Sequence, residues 1–154
     1  MIRNLIRTPI RALALLACAA FASFAYAQDG PQKLDTIQLT AGMHLIKAEL
    51  AQTPEQREIG LMFRKTMGPN EGMLFAFERP GQQCFWMKNT LIPLAVAFVA
   101  DDGSIVNIDA MKPQTLDSHC STKEVRFVLE MSEGWFGKHG IKAGFKLQGA
   151  PFTK

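Results

Sequence analysis

Lys88, Asn89 and Thr90 follow directly on Cys84-Phe85-Trp86-Met87 and run into the apolar Leu91-Ile92-Pro93-Leu94. A cation, an amide and a hydroxyl at the end of an aromatic run make a polar tip at the edge of a core. Such a tip can hydrogen-bond an anion or a sugar. Arg57 and Arg64 stand seven residues apart, about two helical turns, so on a helix they share a face. If that face overhangs the turn after Met87, then Arg57, Arg64, Lys88, Asn89 and Thr90 converge beside Trp86. These six are the expected ligand-binding residues, for a small polar or anionic ligand. The plainer account pairs Arg57 with surface acids, uses Arg64 to cap a helix, and leaves Lys88-Asn89 as turn chemistry. Trp86 itself reads as a core residue of an apolar strand, so Trp86→Ala is expected to cost roughly 3–5 kcal/mol.

Two other chemistries have the residue types but not the spacing. His44, His119, Cys84, Cys120 and the methionines after residue 27 include soft-metal ligands. No Met-x-x-Met or His-x-His spacing concentrates them, and Met62, Met73 and Met131 fall on expected core faces. No metal or other cofactor is expected. Asp117-Ser118-His119-Cys120 holds every group of a nucleophilic site within four residues. Adjacent side chains rarely face one another, so a polar loop is the simpler reading.

Residues 1–27 have the form of an export signal. Arg3, Arg7 and Arg11 precede an apolar run from Ile10 to Phe24, and Ala25-Tyr26-Ala27 suits cleavage before Gln28. Leu15-Leu16-Ala17-Cys18 offers a lipoprotein alternative through Cys18. The expected location is periplasmic or secreted, with no membrane span once the signal is cut. Without those three arginines the 17 Lys+Arg fall to 14, equal to the 14 Asp+Glu. A neutral chain of interspersed signs excludes a basic nucleic-acid face and a polybasic lipid patch. Two cysteines remain, Cys84 and Cys120, and an oxidising compartment favours a disulfide between them.

Residues 28–35 read as a flexible leader, and 36–154 as a single β-rich domain. Thr36–Leu39 and His44–Leu50 flank a turn at Ala41-Gly42. Thr53-Pro54-Glu55-Gln56 carries a Thr cap, a Pro at the first helical position and Gln three residues after the cap. These signals start a helix that is expected to reach about Phe63. Short strands are expected at Met73–Phe77, Gln83–Met87, Pro93–Val99, Ser104–Ala110, Val125–Met131 and Phe145–Leu147. Lys112–Glu124 is expected as a loop and Gly134–Gly140 as a turn. In Val125–Met131 the odd positions are apolar, so Arg126 and Glu130 are expected to alternate with them on the other face. The class is mainly β (α+β): a compact antiparallel β-barrel or sandwich of seven or eight short strands with one packed helix.

Several motifs fall in a telling order. Arg57-Glu58-Ile59-Gly60-Leu61-Met62-Phe63-Arg64 is followed by Gly72-Met73-Leu74-Phe75-Ala76-Phe77, then Phe85-Trp86-Met87-Lys88-Asn89-Thr90-Leu91-Ile92-Pro93-Leu94, then Val128-Leu129-Glu130 before Gly134. In this the chain resembles the small prokaryotic family called domain of unknown function 192, over about His44 to Gly149. The resemblance implies a compact, mostly β, often exported domain, and it implies no particular reaction. Relatives usually carry Asp after the Pro-Leu pair, where this chain has Ala95. Any catalytic role of that carboxylate would be missing here.

The leading expectation is an exported, non-catalytic module that binds a small polar or anionic ligand or an envelope protein. One alternative is an envelope- or sugar-directed enzyme using Lys88 or Glu130 with Asp109 as acid/base groups. Another is a structural or accessory envelope protein.

Overall fold

The computed structural model describes residues 30–152. The expected signal, its cleavage site and the Cys18 alternative lie outside the described residues.

Leu94–Val99 is an unbroken apolar run, and all six residues are buried. A strand can be that apolar only if both faces of its sheet are covered. The strands in chain order are β1 (Thr36–Ala41), β2 (His44–Ala51), β3 (Glu71–Gly81), β4 (Cys84–Phe85), β5 (Leu94–Val99), β6 (Ile105–Met111), β7 (His119–Cys120) and β8 (Val125–Ser132). Six of them form a sheet in the order β1-β2-β3-β8-β5-β6, and β4 and β7 form a small second sheet. The mainly β, sandwich-like class is thus as expected.

The six-stranded sheet is antiparallel as expected in every pairing but one: β2 and β3 run parallel. A parallel pair requires a crossover, and residues 52–70 supply it. That crossover carries α1 (Pro54–Ile59), whose Thr53 and Gln56 form a reciprocal capping box. The helix is shorter than its pattern suggests. It stops at Gly60, whose φ of 50° ends the right-handed turn. A second short helix, α2 (Trp135–Lys138), occupies the expected turn. Likewise β7 lies within the expected loop, and of Gln83–Met87 only Cys84 and Phe85 pair as strand.

The sheet is not a closed barrel. Residues 144–148 cross the gap between its edges, as Phe145–Leu147 were expected to do. Leu147 N–H donates to Gly103 O at 2.9 Å, and Thr40 and Gln148 exchange backbone hydrogen bonds at 2.9 Å. On one face Leu39, Ile46, Leu74, Ala97, Leu129 and Trp135 build a core under α2. On the other Met73, Phe75, Met87, Val96, Phe98 and Val128 build a second.

Both faces of β8 are therefore covered, and Val128 and Glu130 are buried together on the second one. Glu130 sits in register between Met73 of β3 and Val96 of β5. Gly72 holds that register tight. A Cβ there would lie 2.4 Å from both Glu130 O and Met131 Sδ, closer than any side chain tolerates.

Part of the expected leader is docked. Gln32 is buried, and its amide donates to Gln56 O at 2.8 Å and Gly60 O at 2.9 Å.

Candidate functional site

The second core is incomplete. Between α1 and β4 a cleft of ≈ 270 Å³ reaches down to the sheet. Phe75 and Glu130 stand on the sheet side, Arg57 and Met62 on the α1 side, and Phe85 and Trp86 on the β4 side.

The covalent tie that holds the β4 side is the expected one. Cys84 pairs with Cys120 across the β4–β7 ladder, and their sulfurs are bonded at 2.09 Å. Cys120 is therefore not a free thiol. His119 Nδ1 lies 2.6 Å from Asp109 Oδ2, which occupies the carboxylate expected as a partner for Lys88. Ser121 hydroxyl accepts from Gln83 N–H at 3.1 Å and ties the same wall.

Of the six expected ligand residues, the cleft gathers Arg57, Trp86 and Thr90. Arg57 donates through Nη1 to Ala76 O at 2.9 Å and to Gln52 O. Its guanidinium lies 4.8 Å from the centre of the Phe77 ring. Trp86 is 51% exposed, which overturns its placement in the core. The ring leaves the sheet because pairing ends at Phe85, and it is Met87 that turns inward, with no exposed surface. Trp86→Ala should accordingly shift a urea midpoint by the equivalent of less than about 1 kcal/mol. A loss near the core-sized value above would return the ring to the interior.

Lys88 is exposed and stands over the outer ring, its Nζ 5.7 Å from the Trp86 centroid. Asn89 takes a left-handed conformation with φ 56°. Its carbonyl accepts from Phe63 N–H at 2.9 Å, which joins the loop after β4 to the end of the crossover. Thr90 is buried, and its hydroxyl donates to Lys88 O at 3.4 Å.

Arg64 does not converge with the others. It forms a 2.7 Å ion pair with Glu49 and donates to Gln32 O at 2.9 Å. It lines a second, broader depression of ≈ 690 Å³. The helix was expected to aim both arginines alike, but it ends before Arg64 is reached. Beyond Gly60 the chain turns away, with Phe63 at φ 63°.

Glu130 carries more than its place in the strand pattern indicates. It is 4% exposed. Among the described residues no hydrogen bond or ion pair reaches its carboxyl. Burial alone pushes its pKa from 4.5 up to about 8, since taking a carboxylate out of water disfavours its charged form. The acid therefore keeps its proton at neutral pH and presents an O–H to the cleft. Phe75, Phe77 and Phe85 also line the cleft. Their aromatic character was legible, but they read as core.

Fold and site together define a small β-rich domain with a cleft roofed by the crossover and walled by a disulfide-tied limb. The chain belongs to the domain of unknown function 192 family (DUF192, "Uncharacterized ACR"), whose model matches residues 37–149. It is similar to the crystal structure of a protein from Sinorhizobium meliloti 1021 described as a proposed transcription regulator. The two are 37% identical with a TM-score of 0.74, covering 79% of this chain and 98% of that one. It is also similar to a protein of unknown function from Novosphingobium aromaticivorans DSM 12444. Here identity is 35% and the TM-score 0.72, over 75% of this chain and 86% of that one. No curated protein sequence matches it.

Proposed function

We propose that this protein is an exported, non-catalytic binding module whose cleft between α1 and β4 takes a small polar ligand. One observation carries the reading: a buried carboxyl without a protein partner stands on the wall of a cleft that Phe75, Phe77, Phe85 and Trp86 also line. A carboxyl largely stripped of water costs folding energy unless it is paired, so one that faces a cleft with no protein partner suits a ligand. The Cys84–Cys120 bond suits an oxidising compartment. Among the described residues no helix is long and apolar enough to cross a membrane.

A thermal-shift screen of small polar metabolites against residues 28–154 tests the proposal, because a ligand of the native state must raise its apparent stability. Lys88→Met is the informative companion. Lys88 is exposed and its charge rests over a ring, so the ligand-free variant should stay within about 0.5 kcal/mol of wild type. The ligand response should weaken. A large loss of stability in the ligand-free variant would show Lys88 to be structural instead.

The proton that Glu130 holds also favours a second reading, an enzyme acting on envelope sugars with Glu130 as general acid. A carboxyl kept protonated at neutral pH can donate to a leaving group. Turnover of cell-wall glycans that disappears in Glu130→Gln would support it. Ligand binding without turnover supports the module.

A further inference from the structure

We infer that the cleft takes a zwitterion, with its cationic nitrogen against the Glu130 carboxyl among the rings and its anionic end at the rim beside Arg57. This rests on the ligand reading above and names the class of ligand.

The inner end of the cleft calls for a cation. Glu130 is flanked in register by Met73 and Val96, and its only perturbation is burial. The charged side chains lining the cleft besides Glu130 are Arg57 and Glu58, both from α1. The lining residues of β3 are Phe75 and Phe77, and those of the β4 limb are Gln83, Cys84, Phe85 and Trp86. Among the described residues no cation is bonded to this carboxyl, so a charge on it is matched only by something that enters. The rings suit that role. Phe75 and Phe85 meet edge to face at 4.8 Å. Two further lining rings already hold cations, Arg57 over Phe77 at 4.8 Å and Lys88 over Trp86 at 5.7 Å. Ring faces attract a desolvated ammonium in the same way.

The outer end calls for an anion. Arg57 spends Nη1 on two backbone carbonyls, which fixes the guanidinium while its remaining donors stay available. Lys88 does not line the cleft, but it stands over the lining Trp86 ring at 5.7 Å. A purely cationic ligand leaves the remaining Arg57 donors unused, and a purely anionic one brings no charge to match an ionised Glu130. A molecule with the two charges on opposite ends answers both.

Seating the cation displaces the Glu130 proton to solvent and leaves a carboxylate against an ammonium. Binding therefore releases a proton wherever the empty cleft is protonated, that is, below about 8.

Isothermal titration with isosteric pairs tests this. Glycine betaine is compared with 3,3-dimethylbutyrate, in which carbon replaces nitrogen. Phosphocholine is compared with 3,3-dimethylbutyl phosphate. At least one zwitterion is expected to bind about tenfold or more tighter than its isostere. It should release about one proton per ligand near pH 6.5 and almost none near pH 9.5. Glu130→Gln should erase both the preference and the proton release while keeping the circular dichroism of the fold. Tighter phosphocholine places the source in a lipid headgroup, and tighter betaine places it in a free solute. Equal or tighter binding of the isosteres overturns the inference and leaves the cleft reading standing, as does zwitterion binding without proton release. Failure of all four compounds also overturns it. The cleft reading falls with it only if the metabolite screen is blank as well.

Discussion

Glu130→Met is expected to stabilise the ligand-free protein by roughly 3–5 kcal/mol near pH 7.5. The folded carboxyl titrates at about 8 and the ordinary one at 4.5. Between those values the native state keeps a proton that the unfolded chain releases, so native stability falls as pH rises through the window. Below about 4.5 both states are protonated and the penalty vanishes; above about 8 it is complete. Each pH unit inside the window contributes about 1.4 kcal/mol. Met keeps an unbranched stem of similar length and buries apolar surface between Met73 and Val96. The measurement is urea denaturation at pH 5 and pH 8. Wild type should lose stability between the two, and the variant should lose much less. Equal slopes, or a variant weaker than wild type at pH 8, would mean that the carboxyl has a stabilising partner.

Replacing both Cys84 and Cys120 by Ala is expected to cost about 3–4 kcal/mol. The bridge closes a separation of 36 residues, and on the chain-entropy model a loop of that size restrains the unfolded chain by about this amount. The native state suffers as well. The β4–β7 ladder has two residue pairs, Cys84↔Cys120 and Phe85↔His119, too few to persist on backbone bonds alone. Phe85 and Trp86 ride on that ladder, so the cleft should lose its outer wall. The six-stranded sheet does not depend on it, and far-ultraviolet circular dichroism should change little. A guanidinium midpoint shift worth less than about 1 kcal/mol, with the ligand response intact, would count against this account.

The elements were legible where local chemistry decides them. Thr53-Pro54-Glu55-Gln56 announces its helix because the cap is built from those residues. Leu94–Val99 announces a strand covered on both sides because nothing in it prefers water. The cysteine pairing followed from their number and the expected compartment. What was not legible depended on long-range placement. The parallel β2–β3 pairing rests on the path of a crossover, not on the pattern of either strand. The helix end rests on a backbone angle at Gly60, and with it went the shared face of Arg57 and Arg64. Trp86 and Met87 exchanged roles because a two-residue strand does not carry its alternation onward.

Glu130 shows the limit most clearly. Arg126 and Glu130 mark one face of β8 as polar, yet Val128 lies between them on that same face and is fully buried. That single valine is the signal in the strand that its second face is covered too. A covered face leaves the acid beside it little water to charge against, so the same valine marks Glu130 as buried.

The most direct test is a pH titration of side-chain carboxyl carbons by ¹³C NMR, with Glu130 assigned by the signal missing from Glu130→Gln. In the ligand-free protein the Glu130 resonance should titrate near 8, well above the ordinary carboxyl range. Adding a ligand that fills the cleft should move that midpoint. A Glu130 midpoint below about 5, unmoved by any ligand that binds, would contradict the claim that an unpartnered acid in this cleft is the protein's recognition group.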